Sequence, residues 1–227
     1  TQNVPIVYAS SAATYGDGEQ GYRDDHQEIP KLKPLNKYGY SKQLSDEWIL
    51  SQDQKPDVWF GVKFFNVFGP NEYHKGKMSS VVYHAFEQIQ DVGEVKLFKS
   101  HKEGFEDGEQ LRDFVYVKDV VKAMIDLVDA GTKNKKLSGI YNLGTGKART
   151  FFDLVSATFD ALNLKTKIKF IDMPESLREQ YQYYTEAHME KFKKALPDFH
   201  FLSLEDAIKD YVTHHLNKID SHLNIHN

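Results

Sequence analysis

Four short apolar runs rich in β-branched and aromatic residues constrain this chain most: 4–9 (Val-Pro-Ile-Val-Tyr-Ala), 58–65 (Val-Trp-Phe-Gly-Val-Lys-Phe-Phe), 112–117 (Arg-Asp-Phe-Val-Tyr-Val) and 139–143 (Gly-Ile-Tyr-Asn-Leu). Runs of this length without strict polar alternation read as strands buried on both faces. A weaker one covers 167–172. Between them, apolar residues fall at helical spacing. Tyr40, Leu44, Trp48 and Ile49 mark one face over 37–52, Val81, Ala85, Phe86 and Ile89 another over 78–91, and Val120, Val121, Met124, Leu127 and Val128 a third. Thr150 with Asp153, and Ser203 with Asp206, have the spacing of an N-cap and a first-turn acid, which predicts helices over 151–162 and 204–217. Leu204, Ala207, Ile208, Tyr211 and Leu216 form the stripe of the last. Strands alternating with such helices call for right-handed crossovers and a parallel sheet covered on both faces, so the predicted class is α/β.

The 227 residues are 40% hydrophobic and 27% charged, enough for a sizeable core. No run approaches the roughly 20 apolar residues that span a bilayer, so no membrane partner is expected. The chain has no cysteine, which excludes disulfides and thiolate metal sites, and no histidine spacing suggests a metal. A net charge of −4 argues against nucleic acid and leaves a small molecule as the expected partner, with the cytoplasm as the default location. Because the chain opens without Met on a strand that needs neighbours, it is expected to be cut from a longer one. The polar end 218–227 is expected to fray. Two polar loops, 16–36 and 99–111, are long enough to be functional.

Gly16-Asp17-Gly18-Glu19-Gln20-Gly21 matches the dinucleotide fingerprint G-x-G-x-x-G in letters only. That fingerprint works where it joins a strand to a helix, because the pyrophosphate sits on free N–H groups of the helix start. Here Tyr22-Arg23-Asp24-Asp25 and then two prolines follow, and Asp17 and Glu19 would repel phosphate. Gly144-Thr145-Gly146 lacks the third glycine, since Arg149 occupies its place. No pyrophosphate cradle is expected in these residues.

Tyr38 and Lys42 stand one helical turn apart, which puts a phenol and an ammonium on one face. A nearby positive charge favours the phenolate, so Tyr38 is a candidate base toward a sugar hydroxyl as hydride leaves the carbon. Ser11 lies just past the C-terminal end of the first buried run, where open α/β sheets bind ligands, and can orient that hydroxyl. Asn66 ends the next run in the same way.

The order S-S-A-A-T-Y-G, Y-G-Y-S-K, F-F-N-V-F-G-P, H-K-G-K-M, R-D-F-V-Y-V-K-D-V and Y-N-L-G-T-G resembles the extended short-chain dehydrogenases acting on nucleotide sugars, and within them the ADP-heptose 6-epimerases. The resemblance runs from about residue 4 to about residue 217. It implies a partial Rossmann-type doubly wound sheet over 1–67 and 112–143, with a smaller α/β substrate-binding domain over 68–111 and 144–217. It also implies NADP, with NAD as the alternative, an ADP-heptose substrate, a homo-oligomer, and a place in lipopolysaccharide inner-core synthesis.

The family's dehydrogenase residues fall on Ser11, Tyr38 and Lys42, with Lys42 also on the nicotinamide ribose and Val67 lining the cofactor. The family's second base, which inversion at C6 requires, falls on Lys75. It is implied to touch the cofactor, as is Tyr38. A lysine among cations and partly desolvated can give up its proton near neutral pH. Substrate contacts fall on Asn66, Lys77, His84, Phe98, Lys99, Ser100, Arg112 and Tyr181, of which the Arg112 guanidinium suits a diphosphate. Two departures bear on substrate identity: Lys77 replaces a small hydroxyl residue, and the segment 99–111 is longer and more acidic than in the family. A nucleotide-sugar dehydratase would need an acid near Ala12 and Ala13, where none stands. A C4 epimerase has no evident use for Lys75. A non-catalytic substrate-binding fragment is the reading of a different class.

Overall fold

The computed structural model describes residues 3–178 and 181–218. In chain order the elements are β1 (Ile6–Ser11), α1 (Lys37–Ser51), β2 (Trp59–Phe64), β3 (Asn66–Phe68), α2 (Val81–Val92), β4 (Val95–Phe98), β5 (Leu111–Arg112) and β6 (Phe114–Tyr116). There follow α3 (Val117–Lys133), β7 (Gly139–Leu143), β8 (Arg149–Thr150), α4 (Phe151–Ala161), β9 (Ile168–Ile171), α5 (Glu175–Arg178), α6 (Glu190–Ala195) and α7 (Leu204–Tyr211). The α/β class stands. The tail reading over 219–227 lies outside the described residues. Among the described residues, no helix is long and apolar enough to cross a membrane.

The chain divides into two compact units, residues 1–65, 119–147 and 185–200, and residues 66–118, 148–184 and 201–227. This differs from the division implied by the resemblance. Residues 66–67 and 112–118 fall in the second unit, because β3 pairs with β6. Residues 185–200 fall in the first, where Lys191 of α6 donates to the Ile140 carbonyl of β7 at 2.7 Å.

The first unit is built on a parallel sheet in the order β1-β2-β7, with Ser11 level with Phe64 and Phe64 level with Leu143. Every residue of β7, and all of β2 except Phe64, is buried, as expected of a central parallel strand. On one side α3 comes so close that a Cβ on Gly131 would stand 2.8 Å from the Phe60 ring. On the other, Ile29, Trp59 and Ile140 form a small core joined by Tyr8, Ile49 and Leu50. β1 is an outer strand of the three, and beside it opens a hollow of about 580 Å³ lined by Ile6, Tyr8, Leu44 and Trp48.

Three of the four residues read as the buried face of α1 are turned outward, and only Ile49 joins the core. Tyr40, Leu44 and Trp48 are exposed, Trp48 at 63%, while Gly39, Gln43 and Asp46 are buried. The physical reason lies in β2: its buried Lys63 meets Asp46, and this polar contact sets which face of α1 turns inward.

Loop 16–36 is tied down rather than loose. The Asp24 carboxylate accepts from the Asn142 N–H at 2.8 Å, and the Tyr15 hydroxyl donates to the Asn142 side chain at 2.6 Å. His26 Nε2 accepts from the Ile140 N–H at 3.0 Å and stacks on Trp59.

In the second unit, α2, α4 and α7 enclose a core around two parallel pairs, β3 with β6 and β4 with β9. The run 112–117, read as one strand, is broken at Asp113. Leu111–Arg112 pairs antiparallel with β8, and only Phe114–Tyr116 joins β3. The expected caps are present: Thr150 Oγ accepts from the Asp153 N–H while the Asp153 carboxylate accepts from the Thr150 N–H, and Ser203 Oγ accepts from the Asp206 N–H. The last turn after α7 widens into a π-helix over Val212–Leu216, with the Asn217 N–H donating to the Val212 carbonyl at 2.9 Å.

Burial, then the nearby Lys191, lowers the His26 pKa to about 4, so the folded state keeps it neutral where the unfolded chain protonates it. The unfolded chain therefore binds the extra proton below about pH 6.5, and stability falls as pH drops from there toward 4. Urea unfolding across this range should show the advantage of the wild type over His26→Asn shrinking with acid; a constant gap would refute the linkage.

Candidate active site

The first unit places three of the expected residues at the C-terminal end of β1. Ser11 ends that strand and its Oγ accepts from the Ala13 N–H at 3.1 Å, so its own proton remains to be donated elsewhere. α1 begins at Lys37, because the Asn36 side chain accepts from the Gly39 N–H at 2.8 Å. Tyr38 therefore lies in the first helical turn, 56% exposed. Lys42, one turn on, donates to the Ala9 carbonyl at 2.9 Å, and its Nζ stands 5.8 Å from the centre of the Tyr38 ring.

The approach of α1 to the end of β1 depends on Gly39. A Cβ there would stand 2.6 Å from the Ala13 carbonyl oxygen, well inside contact. The glycine thus lets the Tyr38 turn lie against the segment that follows Ser11.

The second unit carries the remaining expected residues. Asn66 opens β3 and is exposed, with its N–H donating to the Asp113 carbonyl at 3.0 Å; Val67 beside it is half-buried. Lys75 and Lys77 lie on the short helical loop Tyr73–Met78, which is kinked at Gly76 with φ 53°. Both lysines are exposed, so the desolvation expected around Lys75 is not found in this unit. Glu72 anchors that loop, because its buried carboxylate accepts from Ser80 N–H and Oγ at 2.6 Å each and from the Tyr211 hydroxyl at 2.9 Å.

Three of the substrate candidates gather around one cavity of about 360 Å³. Phe98 ends β4, His84 projects from α2, and Tyr181 stands edge-on to Phe98 at 6.4 Å between ring centres. The buried Arg112 guanidinium lies 5.2 Å from the Tyr181 ring and 5.6 Å from the Phe151 ring. Burial raises the Tyr181 phenol pKa, which the Arg112 charge partly offsets, so this phenol is a neutral donor near pH 7. Lys99 and Ser100 follow Phe98 in the chain but do not line the cavity. Lys99 pairs with Asp172 at 3.2 Å, and the Ser100 N–H donates to the Asp107 carboxylate at 2.8 Å, closing the long acidic loop on itself. Sequence reasoning missed Gln88, Gln110, Phe151 and Ile171 in the cavity wall. For Ile171 the strand signal over 167–172 was available; a glutamine on a helix or in a loop carries none.

The glycine motif at 16–21 forms turns, with Gly16, Gly18 and Gly21 all at positive φ and no helix after them. The start of α4 is closed by the carboxylate of Asp153 in its own capping box. Neither offers the free N–H groups that a pyrophosphate needs. Among the described residues, no cluster of metal ligands occurs.

A model of the NAD dependent epimerase/dehydratase family matches residues 1–144. The chain belongs to that family. It is 53% identical to an ADP-L-glycero-D-manno-heptose-6-epimerase of Fusobacterium nucleatum over 98% of this chain and 68% of that protein. It is 48% identical to one of Nitratidesulfovibrio vulgaris over 96% of this chain and 66% of that protein. The crystal structure of the Helicobacter pylori ADP-L-glycero-D-manno-heptose-6-epimerase superposes with a TM-score of 0.74 at 35% identity, covering 93% of this chain and 59% of that one. This family member thus spans about two thirds of the length of the curated relatives it matches.

Gly39→Ala forces α1 away from Ala13 and should cost about 1–3 kcal/mol, the usual scale of overpacking. Denaturant unfolding measures it, and an unchanged midpoint would mean that the close approach is not needed.

Proposed function

We propose that the protein acts in the epimerisation of ADP-D-glycero-D-manno-heptose at C6 to the L-glycero form, by transient oxidation to a ketone. The observation that carries this reading is the placement of Tyr38 and Lys42 on one exposed helical turn, held against the end of β1 that bears Ser11, in a chain 53% identical to a protein of that name. We further propose NADP as the cofactor, with NAD as the alternative, a homo-oligomeric assembly, and a cytoplasmic place in lipopolysaccharide inner-core synthesis.

The residues present fit one end of such a cofactor. In the first unit Lys42 Nζ carries donors beyond the one given to Ala9 and suits the nicotinamide ribose; in the second unit Val67 is a half-buried apolar residue, as a cofactor contact requires. The pyrophosphate end has no cradle among the described residues. When bound, the nicotinamide supplies a hydride acceptor and donor. Ser11 Oγ, already accepting from the Ala13 N–H, donates toward the sugar oxygen and fixes its orientation. Tyr38 takes the proton from the hydroxyl on C6 as hydride leaves that carbon. The Lys42 ammonium stabilises the phenolate that takes up this proton. Inversion requires a second proton donor and acceptor for the ketone presented in its other orientation, and Lys75 takes that role. Arg112 and Tyr181, with Phe98 and His84, receive the nucleotide part. A guanidinium stacked on aromatic rings suits a phosphate by its charge and planar shape.

One observation favours a narrower reading, namely that neither glycine motif nor the start of α4 among the described residues offers free N–H groups to a pyrophosphate. On that reading the chain binds nucleotide sugar without turnover. Purified protein should then carry no stoichiometric NADP by absorbance and fluorescence, and a full equivalent would rule the narrower reading out. For the full reading, Tyr38→Phe and Lys75→Met in a protein that holds cofactor should each lower epimerisation of ADP-heptose by about 10²-fold or more, the scale of a lost general acid or base. Rates like the wild type in either variant would refute the role given to that residue.

A further inference from the structure

The underside of α1 is polar at its centre, although it packs on a buried sheet. Asp46 and Lys63 are both completely buried, and Lys63 Nζ donates to the Asp46 carboxylate at 2.6 Å. The carboxylate also accepts from Ser10 Oγ at 2.7 Å and from the Tyr8 hydroxyl at 3.0 Å. Lys63 Nζ donates again to Thr14 Oγ at 2.7 Å, and that hydroxyl donates to the Ser11 carbonyl at 2.8 Å. The ammonium lies 5.2 Å from the centre of the Tyr15 ring. Three hydroxyls, of Tyr8 and Ser10 in β1 and of Thr14 in the turn after it, thus bond to a charge pair drawn from α1 and β2.

Burying such a pair gives little net stability, since the desolvation of two ions offsets their attraction. What it does give is direction. A hydrophobic face tolerates a helix that slides or rolls by a fraction of a turn, whereas a carboxylate with three donors at 2.6–3.0 Å does not. Asp46 lies one turn after Lys42 and two turns after Tyr38. Its partner Ser10 lies between Ala9, which receives the Lys42 hydrogen bond, and Ser11. The same helix face is therefore pinned to three successive residues of β1, Tyr8, Ala9 and Ser10, next to Ser11.

We infer that the Asp46–Lys63 pair, with Ser10 and Thr14, is a positioning device that holds the Tyr38–Lys42 turn in register with Ser11, so that the reacting groups meet in one geometry. The inference rests on the roles proposed above for Tyr38, Lys42 and Ser11. None of the four touches the reacting atoms; they act through the helix and the strand end.

The test uses the cofactor-bearing enzyme and a variant that keeps the fold while removing the direction, the double change Asp46→Leu with Lys63→Met. Replacing both charges by apolar groups leaves no buried ion unpaired. The expected result is a Tm near that of the wild type, KM within about threefold, and kcat lowered about 10²-fold, the scale of a displacement near 1 Å at a reacting group. Lys63→Arg, which keeps the charge, should retain most of kcat. A double variant with kcat like the wild type would overturn the inference. Should the double variant fail to fold, Ser10→Ala decides, because it leaves the ion pair intact: a fall in kcat of about tenfold at constant KM supports positioning, and an unchanged kcat overturns it. Hydrogen exchange of the α1 amides reads the same question without turnover. Faster exchange around Tyr38–Lys42 in Ser10→Ala supports positioning and exchange as in the wild type opposes it. If instead the wild type fails to epimerise ADP-heptose, the proposed function falls while the exchange result still stands.

Discussion

A single carboxylate, Asp46, sets how the helix bearing Tyr38 and Lys42 meets the sheet. Apolar contact would have been the ordinary means, and the residues for it are present on α1, yet Tyr40, Leu44 and Trp48 point away. The inward face is instead centred on glycine, glutamine and aspartate, matched to a lysine next to the C-terminal end of the central strand. Burial lowers the Lys63 pKa, and the Asp46 charge and hydrogen bond oppose that effect, which is the pattern of an ammonium retained only because its partner is there. Everything at the end of β1 follows from this contact: where Lys42 reaches, where Tyr38 stands, and why Gly39 must lack a side chain.

The second unit solves a different problem, that of presenting a planar cation and aromatic rings around a cavity. Arg112 comes from a two-residue strand, Tyr181 from a loop, Phe98 from a strand end and His84 from a helix. The break at Asp113 makes this possible, since it lets Leu111–Arg112 turn to pair with β8 while Phe114–Tyr116 continues into the core beside β3. The buried guanidinium is held by its donation to the Leu111 carbonyl and by two ring faces. Such stacking fixes the plane of the fork.

Much of the fold was legible because its signals are local. β7 and the starts of α4 and α7 lie where apolar runs and Thr-x-x-Asp or Ser-x-x-Asp spacing put them, since strand burial and capping are decided within a few residues. The dismissal of the glycine motif was legible for the same reason: a helix start must follow, and prolines followed instead. The α1 face was misread because periodicity reports where apolar residues lie and not which side meets a partner. The cavity wall was half legible. His84, Phe98 and Tyr181 came through family resemblance, whereas Gln88, Gln110 and Phe151 become neighbours only when helix, loop and strand fold together.

By itself, then, the sequence determined the α/β class, the alternation of elements, the capped helix starts, and a Tyr-Lys pair one turn apart near a hydroxyl-bearing strand end. Each depends on the geometry of a single helix or strand, or on short-range hydrogen bonding, and so is written in consecutive residues. Tertiary structure alone decided the polar underside of α1, the splitting of the 112–117 run between two partners, and the division of the chain into its two units. These depend on which charges and which strand edges meet across long stretches of chain, as Lys63 meets Asp46 and β6 meets β3, and no local pattern encodes that choice.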